Sequence, residues 1–208
     1  RRIEDIVASY PTLDRPRVRR ALELAAALGK QVDRREWLTV LDLCDLHPPR
    51  GLVNRLAEAG LAEVHSNGWA FVHGLLVEAL DSMAADAGRR RENHVHCARM
   101  LERRYPTRGG ETAERRAEHW RQADKPESAL EPLLEAARES FRHGDYARQG
   151  DLLDRRAEII EELELADDDL RRAENWIGRG MHLIKRSRPH DAETYFSRAL
   201  AVVDPTER

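Results

Sequence analysis

Histidine, cysteine and carboxylate side chains are the groups through which this chain could do chemistry, and their spacing decides how far that goes. His94, His96 and Cys97 stand close together, a density that invites a metal reading. On a helix, however, i and i+2 point apart, and two ligands on one face need i,i+3 or i,i+4 spacing. Either His94 or Cys97 can face a core with His96 towards solvent, and no metal is expected. Glu158, Glu161, Glu162, Glu164 and the run Asp167–Asp169 gather carboxylates, the raw material of general acid–base catalysis. The simpler expectation is a wet helix end, with the aspartates favouring the next helix's N-terminus through its dipole. No serine or cysteine stands in a nucleophile turn motif. Gly29-Lys30 lacks the earlier glycine of a G-x-x-x-x-G-K-[ST] phosphate loop. Catalysis is not expected of these residues. His119, His143, His182 and His190 are scattered and take no role.

Charge narrows the binding options. The 208 residues carry 35 Lys+Arg against 38 Asp+Glu, a net charge of −3, with 35% charged and 41% hydrophobic residues. That balance disfavours a generally basic nucleic-acid binder and suits amphipathic helices with wide wet faces. Lysine occurs only at Lys30, Lys125 and Lys185; the remaining basic residues are arginine. The clusters Arg89-Arg90-Arg91, Arg103-Arg104 and Arg115-Arg116 lie beside Glu92, Glu102 and Glu114, as expected of solvated, internally paired helix surfaces. No apolar run approaches the ~20 residues of a membrane helix. Two cysteines, Cys44 and Cys97, make no disulfide framework and suit a reducing, cytoplasmic setting.

The elements that must position these groups follow from punctuation and period. Ile3, Ile6 and Val7 before Tyr10-Pro11 read as the tail of an upstream helix and domain over 1–12. Asp14-Arg15-Pro16 predicts a helix start with a capping carboxylate, and Val18, Ala21, Leu22, Leu24, Ala25 and Leu28 recur at helical spacing up to Gly29. Asp33 caps a second helix with Trp37, Leu38, Val40, Leu41 and Leu43. His47-Pro48-Pro49 opens a third, with Leu52, Val53, Leu56 and Ala57, ending at Gly60. The period then alternates: residues 61–65 and 69–73 flank Ser66-Asn67-Gly68, a hairpin signal because Asn and Gly tolerate positive φ. Three short helices followed by a hairpin is the order of a winged helix, expected over 13–88. From Arg89 the pattern is helical throughout, near 91–105, 112–124, 127–142, 145–164, 168–187 and 189–203. Three helix pairs, 91–124, 127–164 and 168–203, are expected to stack as an α-solenoid over 89–208. The fold class is thus mainly α.

The last pair resembles a tetratricopeptide repeat (TPR) over about 173–206, on Trp176, Gly180, Leu183, Ala192, Phe196 and Ala199. Small Gly180, Ala192 and Ala199 let paired helices approach, while Trp176, Leu183 and Phe196 fill the space between layers. Ala117, Trp120, Ala129, Leu133 and Ala136 reproduce part of that spacing, but this phase leaves 145–164 without a partner helix. By repeat register Glu174, Ile177, Met181, Ile184 and Lys185 line the concave side, a candidate groove for a protein or peptide partner. The alternative places Met181 and Ile184 in the core.

The order Ala25-Ala26-Ala27-Leu28-Gly29, Leu56 to Gly60-Leu61, residues 71–80 and His96-Cys97-Ala98-Arg99-Met100-Leu101-Glu102 resembles the segment after the ATPase core in bacterial STAND signal-transduction proteins. The resemblance covers roughly 13–203. It implies a winged helix that restrains an upstream nucleotide-binding domain, repeats that sense a partner, and ATP or ADP bound by that other domain with no cofactor here. It also implies that His73, after Phe71-Val72, contacts the bound nucleotide's phosphate, an imidazole being able to donate to a phosphate oxygen. The bland alternative is a histidine that caps the strand-to-helix junction. The Arg1-Arg2 start and the polar tail 204–208 lead to the expectation of a piece of a longer polypeptide. Two other readings stay open: a DNA-binding regulator using the helix with Arg50, Asn54 and Arg55, and a self-standing TPR scaffold.

Overall fold

A computed structural model describes residues 2–106 and 109–203. The chain is mainly helical with one small antiparallel sheet, and it divides into two compact units, Arg1–Pro106 and Thr107–Arg208.

The first unit runs α1 (Arg2–Ala8), α2 (Arg15–Leu28), β1 (Gln31–Asp33), α3 (Arg34–Leu43), α4 (Leu52–Glu58), β2 (Ala62–His65), β3 (Gly68–Phe71), α5 (Gly74–Asp86) and α6 (Arg90–Arg104). Its core collects one stripe from each helix: Val18 and Leu22 of α2, Val40 and Leu41 of α3, Leu56 of α4, Leu80 of α5. Each fully buried leucine contributes about 2 kcal/mol through removal of apolar surface from water. Two boundaries differ from expectation. Ile3, Val7 and Tyr10 belong to this core, so the segment that carries them packs as part of the unit. Cys97, Met100 and Leu101 of α6 are fully buried in it as well, so the unit extends through Pro106 instead of ending at 88.

The hairpin β2–β3 gains a third strand that the sequence did not announce, giving the order β1-β3-β2. Val32 pairs with Trp69, and Trp69 with Val64 on the other side. Ser66 and Asn67 form the hairpin turn, and neither they nor Gly68 has positive φ, unlike the turn expected. Gly68 serves a different need. A Cβ there would lie 2.0 Å from the Val32 carbonyl oxygen, so only glycine lets β1 approach β3. Asp33 caps α3 as expected, its Oδ1 accepting from the Arg35 and Glu36 amides at 2.8 and 3.0 Å. Asp14 precedes α2 but its side chain makes no capping hydrogen bond.

The second unit contains α7 (Glu111–Gln122), a 3-10 turn (Pro126–Ala129), α8 (Leu130–Arg142), α9 (Tyr146–Glu162), α10 (Leu170–Lys185) and α11 (Pro189–Val203). Helix α8 packs mainly on α9, and α10 on α11, while α9 also meets α10. The expected pair 91–124 is divided between the two units: α6 buries its apolar face in the first core, and α7 packs on α8 in the second. Ala117, Trp120, Ala129, Leu133 and Ala136 are all buried, so their repeated spacing marks this α7–α8 contact. Within the last pair, a Cβ on Gly180 would meet the Phe196 ring at 2.6 Å, the close approach that the spacing predicts.

Four successive helices stop by one device. Asp124, Gly144, Glu164 and Ser187 take the left-handed conformation, and the next amide donates to a carbonyl five residues back: Lys125 to Trp120, Asp145 to Ser140, Leu165 to Ile160, Arg188 to Leu183, at 2.9–3.2 Å. Each of these bonds closes a six-residue turn and satisfies a carbonyl that a helix end otherwise leaves open.

Candidate partner-binding groove

Helices α8 and α10 present apolar residues towards each other across a shallow groove of about 400 Å³ in the second unit. From α8 come Leu134, Ala137 and Phe141, at i, i+3 and i+7 on one face. From α10 come Glu174, Ile177, Gly178 and Met181, and from α9 Gln149 and Leu153. Ile177 is 45% exposed and Met181 38%, an apolar surface that a folded chain normally covers. Gly178 sets how near α10 comes to α9, since a Cβ there would lie 2.8 Å from Leu153 Cδ2. Gln149 is buried, and its Oε1 has no hydrogen-bond partner.

The rim is charged. Arg138 and Arg142 line the α8 edge; Arg142 pairs with Glu139, and Arg138 lies 3.8 Å from Glu131 and 3.9 Å from Glu174. Glu174 is fixed from behind by Arg156, whose side chain is 1% exposed. Arg156 Nη2 donates to Glu174 Oε2 at 2.8 Å, Nε to the Leu130 carbonyl at 3.1 Å and Nη1 to the Arg171 carbonyl at 2.6 Å. Burial pushes this guanidinium below its usual range, and the Glu174 and Glu131 carboxylates partly offset that. Lys185 Nζ stands 5.7 Å from the Phe141 ring centroid, with no carboxylate at ion-pair distance among the described residues.

Of the residues expected to line a groove, Glu174, Ile177 and Met181 do so, and Lys185 flanks its Phe141 wall. Ile184 is exposed but lies outside the lining. Neither Met181 nor Ile184 is core. Leu134, Phe141 and Leu153 were not foreseen; their helical spacing shows an apolar face, and only the helix rotation shows that part of it borders a groove.

His73 occupies the N-cap position of α5, exposed, and its imidazole makes no capping hydrogen bond. His94 and Cys97 both face the first unit's core, and half-buried His96 lies 3.5 Å from Glu92. Among the described residues, no three His, Cys, Asp or Glu side chains gather as a metal site. Two members of the acidic stretch meet arginine: Glu161 pairs with Arg172 and Asp169 with Arg171. Asp169 Oδ1 also accepts the Arg171 amide, and these bonds lower its carboxyl to about 2. Elsewhere Arg89 grips buried Glu23 through two bonds of 2.6 and 2.9 Å, and Arg116 meets Glu135 at 2.6 Å. Arg55, a candidate DNA contact, stacks instead over the Tyr10 ring at 4.5 Å.

Compared with family models, curated proteins and solved structures, the chain matches none. Among the described residues, no helix is long and apolar enough to cross a membrane.

Proposed function

We propose that this chain is a non-catalytic regulatory and protein-interaction segment whose α8–α10 groove holds an apolar peptide of a partner. The observation that carries the reading is the exposure of Ile177 and Met181 beside Phe141 in one groove. Two apolar anchors of a peptide would bury these side chains, and an adjacent acidic residue would meet Lys185. The helix pairs α8–α9 and α10–α11, with Gly180 against Phe196, support a TPR-like arrangement.

The same proposal makes the first unit a winged helix that restrains an upstream nucleotide-binding domain in a cytoplasmic STAND-type ATPase. The succession α2-β1-α3-α4-β2-β3 and the sheet order β1-β3-β2 support it. ATP or ADP then belongs to that other domain. His73, exposed and free of a capping bond, is available to touch its phosphate; an unchanged ADP release rate in a His73→Ala chain joined to that domain removes this role. Direct DNA reading is disfavoured by the commitment of Arg55 to Tyr10.

The groove is tested by selecting peptides from a displayed random library against the whole chain. Selected peptides should share spaced apolar anchors and lose binding at least tenfold, about 1.4 kcal/mol, with Ile177→Glu or Met181→Glu, both folded by circular dichroism. Peptides that bind these variants unchanged would refute the groove.

A further inference from the structure

The first unit contains a second opening, unrelated to the groove above. Helix α3, the 46–51 loop, the start of α4 and the β2–β3 hairpin enclose a cleft of about 490 Å³, within the range of small-molecule sites. Its apolar side carries Leu38 of α3 and Val64 of β2, 46% and 57% exposed, with Trp37, Leu41, Val53 and Trp69. Its polar side carries Arg34, Asp42, His47, Arg50, Asn54 and His65.

The inner wall is aromatic packing: Trp69 is 3% exposed and stands edge-on to Trp37 at 5.6 Å and to Phe71 at 4.7 Å. Its indole Nε1 is closed off from solvent, so the charge preference of the cleft comes from other side chains. Arg34 and Arg50 also line the cleft, both exposed, and neither has a carboxylate at ion-pair distance among the described residues. Asp42 is the carboxylate of the lining, so arginine sets the sign there.

We propose that this cleft binds a small apolar carboxylate. The apolar body would lie between Leu38 and Val64, and Arg34 and Arg50 would pair with the carboxylate. Apolar surface supplies the affinity, and the two cations select an anion over a neutral or cationic analogue. The site lets a metabolite act on this unit independently of the partner groove.

The test is calorimetric titration of the whole chain with decanoate, decanol and decyltrimethylammonium, each below its micellar concentration. Decanoate should bind and shift tryptophan emission, with decanol about tenfold weaker and the cation weaker still. Leu38→Glu and Val64→Glu change exposed side chains and should abolish decanoate binding with the fold intact. Arg34→Gln with Arg50→Gln should erase the preference for decanoate over decanol. Met181→Glu, in the other unit's groove, should leave binding unchanged. Equal binding of all three compounds, no binding of decanoate, or loss through Met181→Glu and not Leu38→Glu would overturn the proposal. A peptide that competes for Leu38 and Val64 while decanoate does not bind would also do so, assigning the cleft to a protein partner.

Discussion

Replacing Arg156 with methionine keeps most of the side chain's length and apolar stem while deleting its charge and three hydrogen bonds. Two of those bonds end on the Leu130 and Arg171 carbonyls in the first turns of α8 and α10. Both carbonyls keep a helical amide partner, so each loss is worth about 0.5–1.5 kcal/mol. The bond to Glu174 is charge-assisted and worth about 1.5–3 kcal/mol. Glu174 is part-exposed and rehydrates when abandoned, which keeps the loss towards the lower figures. Methionine also escapes the desolvation that burial imposes on the guanidinium, seen in its lowered pKa. The net expectation is a loss of about 2–3 kcal/mol. At ~4–8 °C per kcal/mol for a unit of this size, the second unit should melt roughly 10–20 °C lower. Circular dichroism follows the melt, and fluorescence separates the units when either tryptophan pair, Trp37 with Trp69 or Trp120 with Trp176, is replaced by phenylalanine. Adding Glu174→Gln to Arg156→Met should cost less than the sum of the single changes, a coupling of about 1 kcal/mol or more. A neutral or stabilising Arg156→Met, or zero coupling, would refute the view that this guanidinium ties α8, α9 and α10 around the groove.

Gly68→Ala places a methyl 2.0 Å from a backbone oxygen, which cannot rotate away. It should cost about 2–3 kcal/mol and unprotect the β1–β3 ladder in amide exchange; native protection would contradict the close approach. Asp169 titrates near 2 in the folded chain against an ordinary value of 3.8. A depressed folded pKa means that its contribution is present in full above about pH 4 and lost as pH falls towards 2. Asp169→Asn should therefore flatten the acid limb of stability over that window, and an unaltered slope in urea midpoints would count against the Arg171 pairing.

The legible parts of the fold were those written in local spacing. Asp33 capped the helix it was expected to cap, and the spans 112–124, 127–142, 145–164, 168–187 and 189–203 each correspond to one α-helix. Strand β1 escaped notice because its three residues are too short to show a period. Helix ends at 124, 164 and 187 were expected, but their left-handed conformation escaped notice because Asp124, Glu164 and Ser187 lack the glycine that marks Gly144. Of the groove, α10 supplied a readable stripe, while Ile184 was misplaced because neighbouring apolar positions on a helix differ only in rotation.

By itself, then, the sequence determined which segments are helical, where they stop, and that many of its arginines stand beside carboxylates. Tertiary structure alone decided that α6 completes the first core, that Gly68 admits a third strand, and that Ile177 and Met181 stay open while Leu133 and Ala136 are covered. The division has a physical cause. Helical period, caps and turns arise from interactions within a few residues. Which apolar stripe is buried depends on the competing faces that distant segments bring to it.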